Sequence, residues 1–308
     1  MITVINLNAA VDKRYELTDI QKGKVMRARK VENTAGGKGL HVANVVTILG
    51  EDVLATGFLG GKTGEFIEEK LAKMVIKNDF VKIAGATREC LAFITDDLIQ
   101  TEILEEGPSV TKEELDLFLK KYDEILDKST VIVASGSIPS NVCQDIYEKL
   151  INRASRANKK FLLDTSGQLL VDAIRAKPYF IKPNIDELEA ISGRKISDEL
   201  DILKEITKLN EKGIKCVVVS MGKDGSLVGF EGEKYKVQVP KITAVNPVGS
   251  GDAFVAGFAV GLHRNYQIEE ILTLAAACGT ANAMHSQTGF VKAKVVKDIL
   301  SKVTIKKL

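Results

Sequence analysis

The feature that most constrains this chain is a steady alternation of short, almost wholly apolar runs with amphipathic stretches of helical period. Strand-like runs fall at Thr3–Asn6, Val53–Phe58, Val131–Ser135, Lys160–Asp164, Tyr179–Lys182 and Cys216–Ser220. Several are nearly continuous in Val, Ile and Leu, as expected for strands buried on both faces. Helical patterns lie between them at Leu40–Leu49, Glu65–Met74, Glu113–Leu126 and Asn141–Ala157, and Thr111 with Glu114 fits a capping box. Strand–helix–strand units imply right-handed crossovers, so the pattern predicts an α/β fold with a doubly wound, mostly parallel sheet. From Ala244 onward the pattern is mostly helical.

Two polar, strand-like stretches interrupt the rhythm, Arg14–Glu32 and Cys90–Leu104. No helix pattern separates their strands, so we expect a small antiparallel flap, built from about 12–32 and 88–105, on one 1–308 domain. A flap able to cover a site is more often functional than decorative. The 308 residues carry 43 Lys and Arg against 41 Asp and Glu, a net charge of +2. That balance argues against a nucleic-acid partner, and no window approaches the roughly 20 apolar residues of a membrane span. Met1–Asn6 has no basic region ahead of an apolar run, so no signal peptide is expected. Four well-separated cysteines and three histidines make neither a zinc site nor a disulfide framework, which points to a cytoplasmic protein with free thiols.

Four glycine-bearing turns carry the functional signal. Gly61-Lys62-Thr63 between a strand and a helix mimics a nucleotide P-loop, but the first required glycine is replaced by Thr56 and Gly57 comes one residue late. We reject that reading. Asn246-Pro247-Val248-Gly249-Ser250-Gly251-Asp252 runs into the helix Ala253–Leu262. Its glycines let helix-terminal amides point one way, and such amides bind phosphate and developing negative charge. Asp252 is placed to take a proton there, although an acid in a first helical turn also complements the helix dipole. Ala35-Gly36-Gly37-Lys38-Gly39 offers flexible backbone and a cation at another helix start, with the odds even between an anion site and an ordinary loop. Ser220–Gly225 is either a phosphate or ribose cradle or a plain hairpin turn. Lys182-Pro183-Asn184-Ile185-Asp186-Glu187 also has two readings. Asn184 and Glu187 fit a helix cap, or they organise water around Mg²⁺.

Taken together, Gly36–Gly39, Asn184 with Glu187, Ser220–Gly225 and Asn246–Gly257 resemble, in order, the signature blocks of the ribokinase-like PfkB sugar kinases. Within that family Thr87-Arg88-Glu89-Cys90, Gln100–Pro108 and Asn246–Asp252 look most like the branch of tagatose-6-phosphate kinase and 1-phosphofructokinase. The resemblance implies an α/β sandwich with a β-sheet lid, often used for dimerisation, and ATP with Mg²⁺ as cofactors. It implies that Asp252 is the base, with Gly249, Ser250 and Gly251 as the anion hole. Asp12 would orient sugar hydroxyls beside Gly37 and Ser137, and His41 would contact them too. Arg27, Lys38 and Arg88 would hold the sugar's existing phosphate, whose charge of about −2 needs cations. Lys182, Asn184, Ser220, Gly222, Gly225 and Asn282 would bind nucleotide, with Asn184 and Glu187 acting indirectly on Mg²⁺. The implied reaction is phosphorylation of tagatose 6-phosphate at its 1-hydroxyl, with fructose 1-phosphate as the alternative substrate. A non-catalytic sugar-phosphate sensor is the reading from another class. Three departures stand out: His41 where the family usually has Asn, Asn246 in place of Asp, and Ala9-Ala10 where this branch has Pro and a small residue.

Overall fold

The computed structural model describes residues 1–97 and 99–308, so Leu98, within the expected flap, lies outside the described residues. In chain order the strands are β1 (Ile2–Asn6), β2 (Ala10–Glu16), β3 (Lys30–Gly36), β4 (Val53–Leu59), β5 (Lys77–Asn78), β6 (Val81–Lys82), β7 (Arg88–Ile94) and β8 (Gln100–Leu104). They continue as β9 (Val131–Ser135), β10 (Lys160–Asp164), β11 (Phe180–Ile181), β12 (Cys216–Ser220), β13 (Ser226–Phe230), β14 (Glu233–Gln238) and β15 (Thr304–Lys307). The helices are α1 (Lys38–Ile48), α2 (Gly61–Lys73), α3 (Lys112–Lys128), α4 (Ile146–Arg156), α5 (Gly167–Ala173) and α6 (Ile185–Ser192). They are followed by α7 (Glu199–Glu211), α8 (Ser250–His263), α9 (Ile268–Ala283) and α10 (Ala293–Leu300).

The main sheet runs β15-β14-β13-β12-β11-β10-β9-β1-β4-β5, with β6 pairing to β4. Pairings from β12 to β5 are parallel, and the β12–β13–β14–β15 edge is antiparallel. Period-two alternation sends Val131 and Val133 into the core beneath α1, α8 and α9, and Ile132 and Ala134 into the core beneath α3, α4 and α7. Both faces are covered, which is why these strands are apolar without alternation. α8 is buried from Asp252 to Leu262 because α9 covers the side turned away from the sheet. At Gly257 the contact is close enough that a Cβ would lie 2.8 Å from Ala275 Cα. No described helix is long and apolar enough to cross a membrane.

The lid is a separate four-stranded sheet in the order β3-β2-β7-β8. Its central pair, β2 with β7, is parallel rather than antiparallel as expected, because the two come from different excursions out of the main sheet. The second lid strand lies at Lys30–Gly36, later than the Val25–Val31 run suggests, and residues 17–29 join β2 to it. β3 therefore runs directly into the Gly36–Gly39 turn, tying the lid to α1. Two helix starts also differ from expectation. α2 begins at Gly61, so Gly61-Lys62-Thr63 is helix, and α4 begins at Ile146 after a turn over residues 141–145.

β1 lies at a switch point, with chain continuation to β4 on one side and β9 on the other, where α/β sheets bind ligands at the strands' carboxyl ends. Its last residue, Asn6, is almost fully buried among glycines. A Cβ would fall 2.0 Å from Asn6 O if placed on Gly57, 2.6 Å from Asn6 Nδ2 on Gly37 and 2.7 Å from Asn6 Cβ on Gly39. Gly57 on β4 and Gly37 and Gly39 at the α1 start thus share one reason, close approach to the end of β1. Gly39 has ordinary helical geometry, so in an open helix Ala there would gain up to about 1 kcal/mol. Here Gly39→Ala should instead lower stability by about 1–3 kcal/mol, read by chemical denaturation, because overpacking outweighs propensity.

Candidate active site

Gly249 caps α8 from the left-handed region at φ 82°, a conformation that favours glycine. The Ser250 amide donates to Pro247 O at 3.2 Å. The following first-turn amides, Gly251 and Asp252, lack intrahelical acceptors by the geometry of any helix start. They, rather than Ser250 N–H, form the donor pair an oxyanion could use. Asn246 sets the turn by accepting from Val248 N at 3.0 Å and donating to Ser286 O at 3.1 Å and Thr288 Oγ1 at 3.2 Å. Asn282 is fully buried. It donates to Val248 O at 2.8 Å and Ser250 Oγ at 3.3 Å, and accepts from Phe290 N at 3.2 Å. Its place is behind the loop, as a brace, rather than at a nucleotide surface as expected.

Asp252, with 7% of its side chain exposed, meets His41 at Oδ2···Nδ1 2.9 Å. The other ring nitrogen, Nε2, lies 3.3 Å from Asp12 Oδ2. Asp12 on β2 is opposite Thr34 on β3, and its carboxyl lies over Gly36, where a Cβ would come within 2.1 Å of Asp12 Cγ. Burial works against charge on His41, but hydrogen bonds to Asp12 and Asp252 outweigh it and lift the imidazole from 6.5 to about 10. Three sequence-derived candidates from β2, α1 and α8 thus converge.

A second charged group lies beside them. Asp164, at the carboxyl end of β10 and 5% exposed, pairs with Lys182 at 3.4 Å and Lys38 at 3.9 Å. Burial alone would raise the Asp164 carboxyl, but Lys182 and Lys38 hold it below the usual range. Asp164 in turn raises Lys38, with smaller help from Asp252 and Glu187. Lys182 approaches the α8 start, since a Cβ on Gly251 would lie 3.1 Å from its Nζ. Asp164 escaped the sequence reading, although a charged residue ending a buried parallel strand was the available signal.

The remaining candidates separate into groups. Lys182, Ser220, Gly222, Gly225, Ser250 and Gly251 line one cleft of about 820 Å³, floored by apolar Val218, Val237 and Phe254. Ser220–Gly225 is the turn joining β12 to β13, as the hairpin reading expects, and it lies along this cleft. Asn184 bridges to Ser220, placing the α6 start at the cleft's edge. Arg88 donates to Asn8 O from Nε at 3.2 Å and Nη2 at 3.0 Å, and to Glu105 O from Nη1 at 2.7 Å. Three of its five N–H groups are therefore committed to backbone. Asn8 also donates to Ser137 Oγ at 3.1 Å, so Ser137 and Arg88 meet the same residue. Gly37 opens α1 at φ 94°. Arg27 is exposed in the β2–β3 connection.

Asn184 and Glu187 form a reciprocal cap: Asn184 N donates to Glu187 Oε2 at 2.9 Å and Glu187 N to Asn184 Oδ1 at 2.8 Å. Among the described residues no three His, Cys, Asp or Glu side chains stand close enough to hold a metal directly. The oxygen donors of Asn184 and Glu187 are of the kind that suits a hard cation contacted through water.

A family model described as pfkB family carbohydrate kinase matches residues 2–294. Among solved structures, a Staphylococcus aureus protein provisionally described as a phosphofructokinase is 30% identical, with 100% of this chain and 99% of that one covered at TM-score 0.88. A Thermotoga maritima protein provisionally described as a 1-phosphofructokinase is 26% identical over 100% and 99% of the chains at TM-score 0.91. Phosphofructokinase-2 from Escherichia coli, solved with potassium and as an inhibited tetramer, is 25% identical over 98% of each chain at TM-score 0.91. The mostly parallel sheet with its separate small lid is the ribokinase-like fold of these proteins.

Asp164→Asn should leave Lys182 buried beside an uncharged partner and destabilise the protein by about 3 kcal/mol in urea unfolding. Because the native carboxyl is held low, its contribution is present above the unfolded value near 4 and lost as pH falls through the lower native value. The gap between wild type and variant should accordingly narrow in acid.

Proposed function

The chain belongs to the pfkB family of carbohydrate kinases, and from that premise we propose that it transfers the γ-phosphoryl group of ATP to a hydroxyl of a ketohexose phosphate. The observation that carries this reading is the position of Asp252. It stands in the open first turn of α8, between the 820 Å³ cleft and the Asp12–His41 side of the site. The cleft suits a nucleotide: an apolar floor for a base, and Lys182, Gly222, Gly225 and Gly251 toward phosphates. Asp252 accepts the proton of the attacking hydroxyl while the Gly251 and Asp252 amides and Lys182 take up the charge of the transferring group. Mg²⁺, when carried in on the nucleotide, supplies further neutralisation of the phosphates. Lys38, tethered by Asp164, is the cation best placed for the sugar's own phosphate, with Arg88 contributing the N–H groups it does not give to backbone. Lid closure over the site excludes water.

Tagatose 6-phosphate, phosphorylated at its 1-hydroxyl, is the first substrate we propose, on the strength of the Thr87–Cys90 and Gln100–Pro108 segments. Fructose 1-phosphate is the second, supported by the likeness to the Thermotoga maritima protein. ADP release should be measured with Mg·ATP and tagatose 6-phosphate, fructose 1-phosphate, fructose 6-phosphate and fructose. A kcat/KM preference for a phosphorylated ketohexose is expected, and turnover of none would favour the sensor. Asp252→Asn should lower kcat by about 10³-fold or more while ATP still binds; retained turnover would remove Asp252 as base. Lys38→Gln should raise KM for the sugar phosphate about tenfold or more with little change for ATP, and equal effects on both would refute the clamp.

We also propose that the lid pairs two copies. β3 and β8 are its open edges, and Val31, Ile103 and Leu104 on them are at least half exposed. Sedimentation should show a dimer, and the double substitution Val31→Lys, Leu104→Lys should shift it to monomer; an unchanged dimer would place the interface elsewhere.

A further inference from the structure

His41 stands between two carboxylates that the proposed mechanism uses separately. We propose that His41 is a positioning residue, an imidazolium that ties the base Asp252 and the hydroxyl-orienting Asp12 into one hydrogen-bonded line. The proposal rests on the kinase reading above for what the line does, but not for whether it exists.

The geometry favours the charge. Nδ1 lies 2.9 Å from Asp252 Oδ2 and Nε2 lies 3.3 Å from Asp12 Oδ2. A neutral imidazole carries one N–H, so one nitrogen would turn a lone pair toward a carboxylate at that range. Only the imidazolium donates to both. The asparagine usual in the family donates from a single nitrogen, carries no charge and cannot satisfy carboxylates on opposite sides of a ring.

The site is built to hold the ring still. A Cβ on Gly289 would fall 2.4 Å from His41 Cβ, so the α9–α10 connection packs directly on the side chain. Asn44, on the same helix, donates to Gly289 O at 2.8 Å and fixes that connection. The charged groups facing the ring are Asp12 from β2 and Asp252 from α8; the α9–α10 connection brings Gly289, which has no side chain. On α1 itself, Lys38 turns to Asp164. His41 is 12% exposed and Asp252 7%, so the pair is shielded from water, where charge-assisted hydrogen bonds are strong. Burial opposes the charge, but the two carboxylates outweigh it, and the rise to about 10 keeps the cation through neutral pH. By linkage, this contribution to stability is complete below the unfolded value near 6.5 and is lost as pH rises through about 10.

Two functional consequences follow. With Oδ2 occupied, Asp252 presents Oδ1 to the hydroxyl, and it does so in a fixed orientation. A cation between them also offsets the like-charge repulsion of the two carboxyl groups that face it.

The test begins on the ligand-free protein with ¹⁵N-labelled histidine. Three histidines give three signal sets, and the set lost in His41→Asn belongs to His41. Both of its nitrogens should remain protonated across about pH 6–8.5, and in Asp12→Asn its titration should move downward. A single-N–H neutral ring at about pH 7 in folded wild type would overturn the proposal. In kinetics, His41→Leu should lower kcat by about 10²-fold with ATP KM within about twofold, and His41→Asn should recover part of the loss. Wild-type kcat and sugar-phosphate KM in a folded His41→Leu variant would equally overturn it. If wild type phosphorylates no ketohexose phosphate, the kinase reading fails, while the nitrogen spectra still decide the bridge.

Discussion

The close packing of glycine backbone on Asn6 is the contact from which the rest of the site follows. Asn6 ends β1 at the sheet's switch point, and the α1 start and β4 come so near that Gly37, Gly39 and Gly57 leave no room for a Cβ. That approach sets the height of α1 above the strand ends. Lys38 and His41 project from this helix, so the backbone positions from which they reach Asp164 and Asp252 are set by that contact. β3 enters the same turn, which makes the lid an extension of the site's floor and not an appended flap.

Around that floor the protein gathers buried charge and pairs it. Asp12 and Asp252 share His41, and Asp164 shares Lys38 and Lys182. His41, Asp252, Asp164 and Lys182 are largely buried and would be expensive to bury alone, and each is compensated by a neighbour from a different element. The arrangement sets two cations near the α8 start, Lys38 beside Asp164 and Lys182 beside Gly251 in the lining of the cleft. In the phosphoryl transfer proposed for this site, charges already paired in this way would need little reorganisation. Departure from the family's usual Asn at position 41 is absorbed into this network because the histidine finds an acceptor on each side.

Much of this was legible in the residues alone. Continuous apolar strands could only be strands covered on both faces, so the parallel sheet and its helical layers followed from period and composition. The glycine-rich turns, the acid in the first turn of α8 and the capping pair Asn184–Glu187 were likewise visible, since local backbone chemistry is written in local sequence. The P-loop mimic at Gly61-Lys62-Thr63 could be set aside by spacing, and its glycine at position 57 has a packing reason.

What only the tertiary structure decided is which distant groups meet. The parallel pairing of β2 with β7, the partnership of Asp164 with lysines 126 and 18 positions away along the chain, and the bridging of Asp12 and Asp252 by His41 are all contacts between separate elements. So is the bracing of the α8 start by the buried Asn282. Periodicity and turn chemistry report the environment of each segment, which is local. Pairing, register and ionisation depend on what packs against that segment, and charge neutralisation acts through space without leaving a mark on sequence spacing.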